Sequence, residues 1–130
     1  MNKTLEMLTL MLHNKEKELT FLNSVLINII GGLSFINTTG QYVTVNKKYS
    51  DTCGYDEGEL DGQSWRITVK DIDTANLCYL EMMEKGMSEM QFEGIKKDGT
   101  IFNKNIILVK SEINGQMNGH YCFMNEIFKP

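Results

Sequence analysis

The sequence is poor in the residues on which common catalytic and metal sites depend. Its 130 residues include one arginine, Arg66, and two histidines, His13 and His120, which lie far apart and form no zinc or catalytic-triad pattern. We expect both histidines to lie in solvent. No phosphate-binding GxxxxGK[ST] or GxGxxG loop is present, and no serine lies in a nucleophile-elbow context. The sequence therefore predicts neither an enzyme nor a metal site.

Disulfide pairs and long hydrophobic runs are also missing. The three cysteines are distant from one another, with no CxxC pair, which favours buried, reduced thiols and a cytoplasmic location. The apolar run at 8–12 is too short to span a membrane. The net charge of -4 argues against a nucleic-acid partner, because phosphate binding needs clustered Lys and Arg. With 42% hydrophobic and 23% charged residues, the composition is that of one globular domain.

Residues 1–30 have the pattern of an amphipathic helix. Apolar residues recur at spacings of three and four, as in a coiled-coil seam, with Lys15 at the one seam position that is not apolar, and Gly31-Gly32 is expected to end the helix. This pattern predicts a homodimer formed through the helix; the alternative is a helix packed on its own domain. The seam residues are Leu5, Leu8, Leu12, Leu19, Leu22, Leu26 and Ile29.

The rest of the chain alternates between strand and helix signals. Strands are predicted at 33–37, 41–45, 90–96, 101–111 and 120–127, with glycine-containing turns between them. Consecutive hairpins require an antiparallel sheet, so the sequence predicts an α+β fold with helices over one face.

Three short helices are predicted between the second and third strands. Asn46 is expected to cap a helix that ends at Gly54, and Asp56 with Glu59 resembles a capping box for a helix that ends near Gly62. Asp73 is expected to cap a longer helix at 74–85. The buried face of this helix is predicted to carry Leu77, Leu80 and Met83.

Four segments in this order resemble the PAS family of sensory and signalling domains. They are NTTGQYVTVN at 37–46, CGYDEGELDGQS at 53–64, VKDID at 69–73 and KKDGT at 96–100. The resemblance covers 21–127. It implies a five-stranded antiparallel sheet with short helices on one face, in a domain at 31–128. It also implies a regulatory module that senses a small molecule, dimerises and relays the change to an output domain such as a histidine kinase or cyclic-dinucleotide enzyme.

The resemblance also bears on cofactors. Haem-binding members usually carry a histidine on the long helix, and 74–85 has none. Photoreceptors of the LOV type have a reactive cysteine in an Asn-Cys-Arg-Phe-Leu motif, where this chain has Gln-Ser-Trp-Arg-Ile at 63–67. No cofactor is therefore expected. Two alternatives stay open: a flavin held non-covalently beside Trp65, as a redox sensor, and a ligand-free module for protein–protein interaction.

A small, mostly apolar pocket is predicted inside the domain. Asn46 and Tyr49 are its polar candidates, although capping explains Asn46 better, and Arg66 is the first candidate for binding an anion. The full predicted lining is Asn46, Tyr49, Trp65, Arg66, Leu77, Leu80, Phe92, Phe102, Ile107 and Phe123.

The C-terminal residues Glu126 and Ile127 resemble the signal-relaying motif that follows the last strand of PAS domains. Phe128 replaces the family's hydroxyl residue at the next position, which departs from the pattern. The output domain is expected to lie outside this chain.

Overall fold

The fold is a five-stranded antiparallel sheet with helices over one face. A computed structural model describes residues 3, 4, 7 and 31–128. The strands lie in the order β2-β1-β5-β4-β3. Both the predicted α+β class and the predicted sheet are thus confirmed. The strands are β1 Gly32–Ile36, β2 Tyr42–Val45, β3 Met87–Ile95, β4 Ile101–Ile113 and β5 Gln116–Ile127.

The predicted N-terminal seam lies outside the described residues. Of the first thirty residues, Lys3, Thr4 and Met7 are described, and all three are helical. Met7 is buried against Leu33 and Tyr121 on the outer face of the sheet. Within the part of the chain that the structure describes, no helix is both long and apolar enough to cross a membrane.

The inner face of the sheet is set by strict alternation. Even-numbered residues of β4 face the helices, so Phe102, Lys104, Ile106 and Leu108 are buried. Ile107 therefore faces the other side, and Phe123 packs with the cluster around Met7, Leu33 and Tyr121. The predicted pocket positions of Ile107 and Phe123 are wrong, because a shift of one residue in a strand moves a side chain to the opposite face.

The strand β5 begins earlier than predicted, which changes the position of His120. Asn114 and Gly115 form the hairpin turn with φ of 53° and 80°, as a two-residue turn requires. The strand starts directly after them, at Gln116, so His120 lies well inside the sheet and is only 3% exposed. The expectation that His120 lies in solvent is wrong for this reason.

The first helix, α1 Lys47–Cys53, is as predicted. Asn46 caps it, with Oδ1 accepting from the backbone N–H of Tyr49 at 2.9 Å, and Gly54 ends it. The predicted second helix is absent from the described residues, where 57–62 forms turns instead. Its capping bond exists, from Asp56 N–H to Glu59 Oε1 at 2.9 Å. Gly58 and Gly62 have left-handed backbone conformations, which cannot continue an α-helix.

The long helix, α2 Ile72–Lys85, begins two residues before the predicted start. Its cap is Asp71, whose Oδ1 accepts from the Thr74 N–H at 3.1 Å, and not Asp73. These bonds to Thr74 hold the pKa of Asp71 below its ordinary value. A 3₁₀ helix, Trp65–Thr68, precedes α2 and also contacts β3.

The buried face of α2 is not the leucine stripe. Leu77 and Leu80 are 59% and 61% exposed, whereas Ala75, Cys78 and Met82 are buried. Small residues at 75 and 78 let the helix backbone approach the sheet closely. Cys78 contacts Ser88 of β3, with Sγ and Oγ 3.1 Å apart. The two leucines were thus wrongly predicted as buried, because helical periodicity alone does not decide which of two adjacent apolar stripes faces the sheet.

Candidate functional site: a small cavity in the core

A small cavity lies between the inner face of the sheet and the helices. Its volume is about 40 Å³. All five strands contribute side chains to its wall, and the helices and the 3₁₀ helix close the opposite side. The lining consists of Ile36, Tyr42, Tyr49, Trp65, Thr68, Val69, Ala75, Tyr79, Phe92, Lys104, Ile106, Leu108, His120 and Cys122.

Three hydroxyl groups form a buried hydrogen-bonded chain in the cavity wall. The Tyr42 hydroxyl lies 2.7 Å from the Tyr49 hydroxyl and 2.7 Å from Thr68 Oγ1. Thr68 Oγ1 in turn donates to the Trp65 carbonyl at 3.0 Å. Burial raises the pKa of both tyrosines well above the ordinary value, so they remain protonated. The chain joins β2, α1 and the 3₁₀ helix, and it is satisfied by its own members.

Replacing Tyr42 by Phe should cost more stability than replacing Tyr49 by Phe. Tyr42 is the central member and makes two of these bonds, so the loss of its hydroxyl leaves that of Tyr49 with only a weak contact to Cys122 Sγ, at 4.0 Å. An unsatisfied buried hydroxyl costs about 1–3 kcal/mol. In Tyr49→Phe, by contrast, the Tyr42 hydroxyl keeps its hydrogen bond to Thr68 Oγ1. The measurement is urea unfolding of both variants, and equal losses would contradict the geometry.

Lys104 places an amino group in the same cavity. The residue is 1% exposed, and Nζ donates to the Thr68 carbonyl at 3.0 Å. The ammonium group lies 5.5 Å from the Phe92 ring centroid and 5.6 Å from that of Phe102. No carboxylate of the described residues lies within ion-pair distance of it, and burial lowers its pKa. Burial without a counter-ion therefore disfavours the charged form of Lys104, and a bound anion would favour it.

His120 and Cys122 bring two further polar groups to the wall from β5. His120 Nδ1 is buried without a hydrogen-bond partner among the described residues, and its ring lies edge-on to Tyr79, 5.5 Å between centroids. Burial lowers the pKa of His120 to about 4 and raises that of Cys122 to about 11. Both groups are therefore neutral near pH 7.

The structure brings together only part of the predicted pocket. Tyr49, Trp65 and Phe92 line the cavity, whereas Phe102 is buried in the core beside Lys104 without lining it. Leu77 and Leu80 are exposed, as described above. Asn46 is taken up by bonds to the backbone: its Oδ1 accepts from Tyr49 and also from the Leu33 N–H at 3.0 Å.

The predicted anion-binding residue does not reach the cavity. Arg66 is exposed, and its guanidinium group stacks 4.7 Å above the Trp65 ring, on the edge of a separate surface groove near 37–40. The cation in the cavity is Lys104, which the sequence analysis missed. The alternation of Phe102, Ile106 and Leu108 contained the signal, because the same parity places Lys104 on the inner face.

The two residues predicted for signal relay lie at the end of β5. The Glu126 carboxylate pairs with Lys96 at 3.5 Å, and Ile127 is half-buried. Glu126 is the cross-strand neighbour of Lys104, yet its carboxylate lies with Lys96. Their role in relay stays a prediction.

The cavity is small for an organic cofactor. Pockets for ligands of drug or cofactor size are roughly 300 Å³ or larger, compared with about 40 Å³ here. A flavin ring system does not fit inside this cavity without displacement of its wall. Among the described residues, no group of three or more His, Cys, Asp or Glu is placed to hold a metal ion.

Comparison with known proteins gives relatives in structure alone. No protein-family model matches the sequence, and no curated protein is significantly similar to it. Among solved structures, the PAS domain of a protein from Colwellia psychrerythraea matches with a TM-score of 0.73 and 18% identity, over 85% of this chain and 98% of that one. The PAS domain of a two-component sensor histidine kinase matches with a TM-score of 0.66 and 17% identity, over 85% and 96%.

A light-oxygen-voltage domain studied with a flavin analogue is similar as well. Its TM-score is 0.68, with 13% identity, over 86% of this chain and 89% of that one. The sheet order, the helices on one face and these matches agree with the resemblance found in the sequence. The chain has the fold of a PAS domain.

Proposed function

We propose that this chain is a regulatory sensing and dimerisation module of a signal-transduction protein. In this proposal a small molecule binds in the core cavity, and the change passes to an output domain, a histidine kinase or cyclic-dinucleotide enzyme. The observation that carries the proposal is a cavity whose wall holds the buried Lys104 amino group, which has no carboxylate partner among the described residues, and a buried histidine nitrogen without a hydrogen-bond partner among them. A buried amino group without a counter-ion and a buried nitrogen without a hydrogen bond are both costly in proteins, so a site that keeps them suits a ligand. No catalytic role is assigned.

A route from the cavity to the N-terminal helix supports the relay. Tyr49 lines the cavity, and Asn46 binds the Tyr49 backbone through Oδ1. The amide group of Asn46 donates from Nδ2 to Thr4 Oγ1 at 2.6 Å. One side chain therefore links the cavity helix α1 to the N-terminal helix. A ligand that shifts Tyr49 can bias the position of that helix only by binding two arrangements with different affinity.

Ligand binding is tested by the thermal shift of the purified chain against a library of small metabolites. A true ligand should raise Tm by several degrees at a hundred times its Kd, where binding contributes about 2.7 kcal/mol. Ala75→Leu fills the cavity from α2 and should abolish the shift. Leu77→Ala, on the exposed face of the same helix, is the matched control and should keep it. A library without any hit would favour the alternative, a ligand-free module for protein–protein interaction.

Dimerisation is tested in the full chain by light scattering. Leu19→Asp combined with Leu22→Asp places charge in the predicted seam and should convert a dimer to a monomer. Substitution is preferable to deletion of residues 1–30, because Met7 is part of a buried cluster of the domain. A wild-type chain that is monomeric at high micromolar concentration would refute the dimer.

The flavin alternative has a direct test by absorbance. The light-oxygen-voltage match supports it, and the volume of the cavity opposes it. Protein purified without added cofactor is expected to be colourless. A yellow preparation with flavin bands, lost in Ala75→Leu, would replace the sensing proposal by redox sensing.

A further inference from the structure

We propose that the core cavity binds a small monocarboxylate, of about the size of formate or acetate, whose carboxylate group pairs with the Lys104 ammonium group. The inference rests on the proposed function and names the class of ligand. It follows from the charge, the free hydrogen-bonding groups and the volume of the cavity.

Lys104 is the one lysine or arginine that lines the cavity, and no carboxylate of the described residues is paired with it. Five other lysines of the described residues lie against carboxylates, at 47, 85, 96, 97 and 110, and all of them are more exposed than Lys104. The residues that line the cavity include no Asp or Glu. The nearby thiols of Cys53 and Cys122 have pKa values raised to about 11, so they supply no negative charge near pH 7. The Glu126 carboxylate is held by Lys96.

The unused hydrogen-bonding capacity belongs to two side chains. An ammonium group has three donors, and Lys104 uses one of them on the Thr68 carbonyl. His120 Nδ1 has no hydrogen-bond partner among the described residues. The Tyr42, Tyr49 and Thr68 hydroxyls already bind one another. A carboxylate offers two acceptor oxygens, which suits a wall that presents free donors and one positive charge.

The volume limits the ligand to a few heavy atoms. A water molecule needs roughly 10–15 Å³ of such space, so about 40 Å³ accommodates about three atoms of that size. Formate has three heavy atoms and acetate four. The apolar walls from Phe92, Ile106 and Leu108 suit the methyl group of acetate. A dicarboxylate is too large for the cavity, whose lining contains no second lysine or arginine to pair with its other carboxylate.

The test titrates the full chain with sodium formate, acetate and propionate by thermal shift and calorimetry, with sodium chloride at equal ionic strength as reference. Acetamide and ethanol serve as neutral probes of similar size. Acetate should raise Tm beyond chloride, and Lys104→Met should weaken its binding by at least about tenfold, the loss expected for a charge-assisted hydrogen bond. Lys70→Met, at an exposed lysine, is the matched control and should bind acetate as the wild type does.

A second measurement covers the case in which Lys104→Met does not fold. In the wild type, the NMR signals of one buried lysine side chain should move on addition of acetate and not of chloride. No acetate effect beyond chloride, or undiminished binding by folded Lys104→Met, would overturn the inference. If acetamide or ethanol binds and acetate does not, the proposed sensing function is supported, but the proposed pairing of a carboxylate with Lys104 is refuted. If no metabolite and no probe binds, both the sensing function and the carboxylate ligand are refuted.

Discussion

Lowering the pH from 6.5 to 4 should reduce the free energy of unfolding by about 3 kcal/mol through His120 alone. Burial lowers the pKa of His120 from 6.5 to about 4 in the folded chain. Since a tenfold difference in proton affinity corresponds to about 1.4 kcal/mol, this gap gives about 3 kcal/mol. The unfolded chain binds more protons than the folded chain in this window. The contribution of neutral His120 to stability is therefore present above pH 6.5 and is lost as the pH falls to about 4.

The variant that isolates this effect is His120→Phe. Phenylalanine keeps a ring against Tyr79, whose centroid lies 5.5 Å away, and it removes the titrating group. Urea unfolding of both proteins at pH 4, 5, 6 and 7 gives a difference curve in which other groups largely cancel. We expect the variant to lose less stability than the wild type on acidification, by about 3 kcal/mol. Parallel curves would mean that His120 is hydrated in solution.

Gly119→Ala should be among the most destabilising single substitutions in the domain, costing about 4 kcal/mol or more. Gly119 precedes His120 in β5, at a bulge where the register to β4 shifts between Ser111 and Glu112. Its φ is +146°, a conformation that L side chains rarely adopt. An added Cβ would lie 2.7 Å from Phe35 Cζ and even closer to the Ile36 carbonyl oxygen. The backbone of β1 is paired there and cannot move away without breaking the sheet.

Gly86→Ala is the matched control for Gly119→Ala. Gly86 also has a positive φ, of +89°, but nothing lies within 4 Å of an added Cβ. Its substitution should cost about 1–2 kcal/mol, which is the backbone term without the clash. Thermal unfolding of both variants separates the two terms. Equal losses would show that β1 and β5 separate easily at this point, and the position of His120 would then be less fixed than the structure indicates.

The fold was largely predictable because its signals are local. The Asn114-Gly115 and Asp98-Gly99 turns specify hairpins, and Asn46 and Gly54 delimit α1. Such signals act between residues close in sequence, so they can be recognised without knowledge of the tertiary contacts. The failures also have local causes. The start of the last strand was predicted four residues too late, which put His120 in solvent, and an error of one residue chose Ile107 over Ile106.

The cavity was less predictable, since its members meet only when the sheet and α2 pack. Helical periodicity was compatible with burial of either of two apolar stripes on α2. The stripe with Ala75 and Cys78 is the buried one, because its small residues allow the helix to pack closely against β3. From the sequence alone a lysine is expected to be exposed to solvent, because that is its usual state. Only the pairing of β4 with β3 and β5 carries Lys104 into the core.

The sequence alone thus determined the class of fold, the succession of strands along the chain and the absence of familiar catalytic and nucleotide-binding motifs, because each depends on turns, caps and motifs within short segments. The tertiary structure decided which charges and hydrogen-bonding groups are buried. That outcome depends on long-range packing, which removed water from Lys104 and His120 and left Arg66 on the surface. The cavity and its cation follow from this packing, and they point to a small anion as the ligand.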